Sequence, residues 1–524
     1  MSGQFNLMNR VAVGDCLRRS ARRYPQKIAL VDGEKRITYA EFNSLANRFG
    51  HGLLSLGLDK GDKVAFIGLN CHEILIAFLG TAKAGMVFVP INPVLKPGEV
   101  RFALDHADVK VVVVEEAFVP AFGDVFRESG KLQQVVNVSR GAATEKGMLD
   151  YGLLLAANPP EEVEVVIGDR DPVQILYTGG TTSFPKAAVL NHLGLVMSCL
   201  TTALDFKFDR HARILAAMPL FHVAQLDALG LTLILVGGTI VIVPRIDPTV
   251  FLQTIEREKI NVAVLLSPMF RAVLSHPDFK KYDLSSLRLV CYFGAVMPEN
   301  LMREVMDKIC PDLFLEFGQT EMSPCATTFK PEDQLRKPGS LGNAGTMVEI
   351  GVMADDGNLL PPGRCGEFVY RSPHVMEGYH RDPVANEAAF RYGWFHSGDT
   401  GYLDEEGYVY FVDRKKDVIK SGGENVASLE VEKVIYQDPR VREVQVIGLP
   451  HERWAEAVTA VVMANPGVVI TEEEVTSLCR QNLAPFKVPK AVIFVEDFPR
   501  SAIGKTLKYQ LRRQLQDYYQ KQGR

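Results

Sequence analysis

An α/β fold of more than one domain is the first reading of this sequence, and three features support it. Short β-branched runs alternate with longer amphipathic stretches. The runs are apolar almost without interruption, as in parallel strands covered on both faces. The chain has 524 residues, too many for one ordinary core.

The elements follow in order. "KVAFIGLN" (63–70), "VKVVVVEE" (109–116), "NVAVLLSP" (261–268) and "LRLVCYFG" (287–294) read as buried strands. "PGEVRFALDHA" and "TVFLQTIEREK" between them carry helical periodicity. "KVAFIGLNCHEILIAFLGTAKAGMVFVPINP" and "RILAAMPLFHVAQLDALGLTLILVGGTIVIVP" share one plan: strand, apolar helix, glycine turn, strand, proline. That plan fits a duplicated βαβ unit with a cleft between two subdomains. It equally fits the general likeness of any two βαβ units. "LGLTLILVGGTIVIVP" (229–244) is too short to span a bilayer and is broken by Gly237-Gly238, so a buried helix, a glycine turn and a strand are expected. After about residue 355 the texture becomes glycine- and turn-rich with short alternating strands, as in a small β-structure. Helix-like "SLEVEKVIYQ", strand-like "VREVQVIGLP" and "AVTAVVMA", and a basic tail close the chain as an α+β segment, with 413–420 as the candidate linker.

Composition narrows the function. Hydrophobic residues are 47% and charged residues 23%, ordinary for a globular protein, and the net charge of -5 argues against gripping a nucleic acid backbone. Eight cysteines are scattered with no Cys-x-x-Cys pair, so reduced thiols and a cytoplasmic setting are expected. The N-terminus shows no apolar core followed by a cleavage site.

The chemistry concentrates in a few loops. "YTGGTTSFPKAAVLNH" (177–192) follows an apolar run. Backbone amides freed by Gly179 and Gly180 and hydroxyls of Thr178, Thr181 and Thr182 could bond phosphate oxygens, with Lys186 supplying charge. Read alone, it is equally a polar turn between strand and helix. "LEFGQTE" (315–321) and "VDRKKD" (412–417) each follow a strand. "WFHSGD" (394–399) places its aspartate in a turn, and "PRSAIGK" (499–505) puts a lysine on a glycine-bearing loop.

In this order and spacing these segments resemble the adenylate-forming superfamily of acyl-CoA synthetases, peptide-synthetase adenylation domains and beetle luciferases. The resemblance runs from "ITYAEFNSLANRFGHGL" to Lys505. It implies a large N-terminal domain (1–414) of two α/β subdomains plus a small β-structure, then a small mobile α+β C-terminal domain (415–524). By this resemblance the 177–192 loop cradles the β- and γ-phosphates of ATP, and Phe317 stacks on adenine beside Glu316 and Ala295. Thr320 bonds the α-phosphate, Glu321 holds Mg²⁺ with Thr178, Asp399 takes the ribose hydroxyls, and Arg414 contacts ribose or phosphate. Lys505 sits between the attacking carboxylate and the α-phosphate. "KSGGEN" (420–425) meets coenzyme A through Lys420, Gly422 and Gly423 after rotation about Lys416.

The loop departs from the family at Ser183 and Ala187, where glycines are usual. Either the backbone is ordinary there or ATP binding is weakened. For the acyl pocket, "PLFHVAQLDALG" (219–230) resembles one wall, with His222 as a gate or a satisfied core histidine, and Val223 and Leu226 apolar. Gly294 in "YFGAVMP", with Gly318, faces it. The expected activity is an ATP-dependent carboxylate–CoA ligase acting through an acyl-adenylate, on medium- or long-chain fatty acids. An aryl or cinnamate-type acid, and transfer to a carrier protein or an amine, stay open as alternatives. A nucleotide sensor on this fold would be expected to lack Lys505 or Glu321. A homodimer and contact with a membrane surface stay open as well.

Overall fold

The structure is a computed structural model that describes residues 3–141, 147–178, 185–293, 297–500 and 506–522. Gly179, Gly180, Thr181, Thr182, Ser183, Gly294, Ala295 and Lys505 lie outside the described residues. The chain divides into two compact units: Met1–Ile350 with Tyr370–Phe395 and Gly407–Val409, and Gly351–Val369 with His396–Glu406 and Tyr410–Arg524.

The first unit is built on two sheets of the same plan. One has eight strands in the order Gly378–Tyr379, Lys186–Asn191, Pro172–Thr178, Val87–Ile91, Lys63–Ile67, Val109–Glu115, Gln134–Val138 and Leu149–Asp150. The other has nine, in the order Lys35–Thr38, Ile28–Asp32, Thr239–Ile242, Arg213–Ala216, Val262–Leu265, Leu289–Phe293, Leu313–Gly318, Cys325–Phe329 and Asn343–Ala344. The runs from Pro172–Thr178 to Leu149–Asp150 and from Ile28–Asp32 to Leu313–Gly318 pair parallel across successive neighbours, and in the second sheet Cys325–Phe329 and Asn343–Ala344 then add antiparallel. The strand before the parallel run is antiparallel in both. The two look-alike segments supply equivalent strands: Lys63–Ile67 beside Val87–Ile91, and Arg213–Ala216 beside Thr239–Ile242. Shared strand order, direction and crossover favour duplication over the general likeness of βαβ units.

The strand runs are buried as their composition requires. Val111, Val112, Val113 and Val114 have no exposed surface. The helix His72–Lys83 is buried at every residue, which explains an apolar stretch with no polar stripe. The helix Tyr39–Ser55 starts at a capping box. Glu41 N–H donates to the Thr38 hydroxyl at 3.2 Å and Thr38 N–H donates to the Glu41 carboxylate at 2.8 Å. The 229–244 stretch folds as expected: a helix ends at Gly237 with φ 83°, and the strand Thr239–Ile242 follows. No described helix is long and apolar enough to cross a membrane, and none of the eight cysteines is in a disulfide.

The second unit carries most of a four-stranded sheet ordered Glu349–Met353, Gly366–Arg371, Phe395–Leu403 and Val409–Arg414. It also holds a sheet in which Ala455–Ala464 pairs with Val441–His451, Ile419–Ser421 and Ala491–Phe494. The helices Ser428–Ile435 and Glu472–Asn482 cover one core of this sheet.

Candidate functional site

The expected phosphate loop is flanked by two antiparallel strands, Pro172–Thr178 and Lys186–Asn191, rather than by a strand and a helix. Thr178 and Lys186 face each other at the ends of two antiparallel strands, and the Thr178 hydroxyl donates to the Lys186 carbonyl at 3.3 Å. Ala187 lies within the strand Lys186–Asn191, 1% exposed and outside the positive-φ residues, so its backbone is ordinary and needs no glycine.

Glu321 lies in the single turn Thr320–Met322 that follows the strand Leu313–Gly318. Gly318 has a packing reason of its own. A Cβ there would meet the Pro324 carbonyl oxygen at 1.8 Å, so glycine is demanded by the returning backbone. Glu321 is buried, and its Oε1 accepts a 2.8 Å hydrogen bond from the Tyr379 hydroxyl. The Lys186 ammonium stands 4.6 Å from the centre of the same tyrosine ring. Lys186, Tyr379 and Glu321 are therefore linked side chain to side chain. Tyr379 escaped sequence reasoning because "EGYH" shows nothing but a turn-like glycine before an aromatic.

Glu316 is fully buried and in register with Phe293, the last described residue before 294–296. Its Oε2 has no hydrogen-bond partner among the described residues. Burial pushes its carboxyl up to about 7, and the nearby Asp205 adds to the push. Phe317 follows it, 8% exposed.

The segment leading into the helix expected as an acyl wall is tied to the other subdomain by Asn70. Its amide donates to the Met218 carbonyl at 2.9 Å and accepts from Leu220 N–H at 2.7 Å. The helix then runs Ala224–Leu231 with π spacing, continuing as Thr232–Val236. His222 is half-buried and its Nδ1 accepts from Ala224 N–H at 3.3 Å, which leaves Nε2 as the protonated nitrogen. Val223 and Leu226 are buried. The same helix buries Asp227 completely. Burial drives its carboxyl well above the usual range. With its amide nitrogen turned toward it, Gln174 donates to both oxygens, at 3.0 and 3.3 Å.

One group among the described residues could offer three metal ligands: Asp32, His72 and Glu73. Its acids are already engaged. His72 Nδ1 meets Asp32 at 2.7 Å, Arg140 reaches both Glu73 oxygens at 2.7 and 3.1 Å, and the Lys35 ammonium lies 3.3 Å from His72 Nε2. Two cations at its edge make it an ion network that ties structure together. Glu321 and Thr178, the pair the resemblance assigns to Mg²⁺, have the donor chemistry that ion takes. One Glu321 oxygen is taken by Tyr379, and the other, with a hydroxyl, offers the hard oxygen donors this ion takes beside phosphates.

In the second unit, Asp399 lies within the strand Phe395–Leu403 instead of the expected turn. Gly398, with φ 74°, supplies the local bend that the sequence suggested. Asp399 N–H donates to Ser397 Oγ at 3.0 Å, and its carboxylate is 3.6 Å from Arg414 Nε. Lys416 is exposed between two buried acids. Asp413 accepts from Ser428 N–H at 2.6 Å, and Asp417 pairs with Arg512 at 2.8 Å. "KSGGEN" is a tight hairpin with Gly422 at φ 61° and Gly423 at φ 90°. Gly422 packs on Trp454, whose ring a Cβ would meet at 2.9 Å, while Gly423 faces open space and Lys420 is exposed.

Two sheets of one plan, with a buried glutamate in the turn after Leu313–Gly318, are the architecture of an adenylate-forming enzyme. The chain belongs to the AMP-binding enzyme family. The family's AMP-binding enzyme model matches residues 17–380, and the AMP-binding enzyme C-terminal domain matches residues 430–505. The chain is 35% identical over 491 residues to the indoleacetate–CoA ligase of Aromatoleum aromaticum, covering 93% of this chain and 95% of that protein. It is 36% identical over 504 residues to the long-chain-fatty-acid–CoA ligase FadD13 of Mycobacterium tuberculosis, covering 96% and 98%. Among solved structures, ATP-bound MatB from Rhodopseudomonas palustris superposes with a TM-score of 0.88 at 29% identity, over 97% of this chain and 99% of that one. The protein is an acid–thiol ligase of the AMP-forming kind, and its substrates are ATP, a carboxylic acid and coenzyme A.

Proposed function

We propose that the acid is a medium- or long-chain fatty acid. The observation that carries this reading is the wall helix: Val223 and Leu226 are buried and apolar, and no residue from 222 to 236 is lysine or arginine to grip a second carboxylate. FadD13 supports it by name, whereas indoleacetate–CoA ligase and feruloyl-CoA synthase, the latter 34% identical, favour an aryl acid as the second reading.

In the first half-reaction an acid oxygen attacks the α-phosphorus, and the bond to pyrophosphate breaks. Two anions must meet, so the barrier is electrostatic and positional. Lys186, Thr178 and the 179–182 loop hold the departing phosphates. Thr320 bonds the α-phosphate, and Lys505 bridges it to the attacking carboxylate. Glu316 and Phe317 receive the base, and Asp399 and Arg414 the ribose. Glu321 and Thr178 would hold Mg²⁺, which neutralises the leaving pyrophosphate. In the second, the coenzyme A thiol attacks the acyl carbonyl and AMP leaves. Lys416 is the proposed pivot of a mobile 415–524 domain that withdraws Lys505 and presents Lys420, Gly422 and Gly423 to the thiol's arm. His222 is the proposed gate of the acyl pocket.

The test is kcat/KM for straight-chain acids from acetate upward, beside benzoate, indoleacetate and ferulate. Each buried methylene is expected to add roughly 0.8 kcal/mol until the pocket ends. A ring preferred over every chain would transfer the proposal to aryl acids.

A further inference from the structure

The segment 376–380 is stitched on two sides. Toward the phosphate hairpin, Glu377 N–H donates to Val189 O at 2.9 Å and His380 N–H to Ala187 O at 2.8 Å, which places Tyr379 opposite Ala188. Toward the glutamate turn, Met376 N–H donates to the carbonyl of Glu321 itself at 2.8 Å. Asn386 then clamps the tyrosine's backbone, accepting from Tyr379 N–H at 2.6 Å and donating to Tyr379 O at 3.0 Å. Gly378, at φ 147° and with a virtual Cβ 2.9 Å from the Asn386 amide, lets that clamp close. The ring therefore has little freedom, and each of its two polar features meets a charged group. The hydroxyl is 2.8 Å from Glu321 Oε1, and the ring face lies 4.6 Å from the Lys186 ammonium.

The phenol has one proton to give. Donated to Oε1, it fixes the carboxylate plane and spends one oxygen, leaving Oε2 for another partner. The ring's negative face holds an ammonium that would otherwise wander on four methylenes. A tyrosine kept only for packing would need neither contact.

We propose that Tyr379 is a positioning residue of the adenylation site, aligning Glu321 for the phosphate-bound cation through its hydroxyl and Lys186 for the phosphates through its ring. This rests on the roles proposed above for Glu321 and Lys186. Partners that orient a metal-binding carboxylate commonly change metal affinity by about 10- to 100-fold when removed.

The two contacts separate by mutation. Tyr379→Phe keeps the ring and deletes the bond to Glu321; Tyr379→Leu deletes both. The full chain is titrated with ATP by calorimetry, with and without MgCl₂, and the Mg²⁺ requirement of acid-dependent pyrophosphate exchange is measured alongside thermal melting. Tyr379→Phe is expected to raise the half-saturating Mg²⁺ about tenfold or more while leaving metal-free ATP affinity unchanged. Tyr379→Leu is expected to weaken metal-free ATP binding as well. A Tyr379→Phe protein with the wild-type Mg²⁺ requirement, or one that loses ATP affinity equally with and without Mg²⁺, overturns the proposal. Glu321→Gln is the control. If it leaves the Mg²⁺ requirement unchanged, the assignment of Glu321 fails and this inference falls with it. If it raises the requirement and Tyr379→Phe does not, this inference alone fails.

Discussion

Gly318→Ala is the substitution whose cost the structure states most sharply. The added Cβ would stand 1.8 Å from the Pro324 carbonyl oxygen and 2.9 Å from both Pro324 C and Ala326 N. All three are backbone atoms, so no side-chain rotation relieves the clash. Carbon and oxygen in van der Waals contact stand more than 3 Å apart, so the segment 318–326 must open by about 1 Å or more. Overpacking of this kind costs about 1–3 kcal/mol of stability. The same displacement passes through Thr320 and Glu321, and a shift of about 1 Å at reacting groups can cost roughly 100-fold in rate. Acid-dependent pyrophosphate exchange and thermal melting together read both effects. Wild-type exchange with unchanged melting would refute the packing argument. If the preferred acid then became shorter, Gly318 would be a lining residue of the acyl pocket, as the sequence suggested.

Lys505→Ala should nearly abolish pyrophosphate exchange yet leave thioester formation from supplied acyl-adenylate largely intact; equal loss in both would refute that division of labour. Gly423→Leu should stop thioester formation and spare exchange, since its Cβ direction is open and only the φ of 90° resists a side chain. Gly422→Leu should also lower the melting temperature by displacing Trp454; identical melting curves for the two would contradict this. Glu316 has a folded pKa of about 7, above its ordinary 4.5. A raised carboxyl contributes fully below the unfolded value and loses its contribution as pH climbs toward the folded one. Stability should therefore fall between about pH 4.5 and 7, and Glu316→Gln should flatten that slope in denaturant titrations; an unchanged slope would show that Glu316 is not its source.

The parallel cores were legible because a strand buried on both faces has to be apolar, and the four valines of 111–114 state that directly. The duplication needed the sheets, since one strand–helix–strand looks like another until strand order is known. Polar positioning residues were the hardest to read. Asn70 acts on Leu220 across 150 residues and Tyr379 on Glu321 across 58, so neither leaves a local pattern. Asp399 was misplaced because Gly398 reads as a turn, although a strand absorbs its positive φ. The π spacing of Ala224–Leu231 is equally silent, for an apolar run looks the same at either period.

The proposed reaction runs in two separable steps on one chain. The most direct measurement supplies ATP, Mg²⁺ and a straight-chain acid without coenzyme A, quantifies pyrophosphate and enzyme-bound acyl-adenylate, then adds coenzyme A and follows AMP. About one pyrophosphate per enzyme is expected before the addition, then stoichiometric AMP and acyl-CoA after it. Release of ADP and phosphate, or no pyrophosphate until coenzyme A arrives, would contradict the two-step reaction.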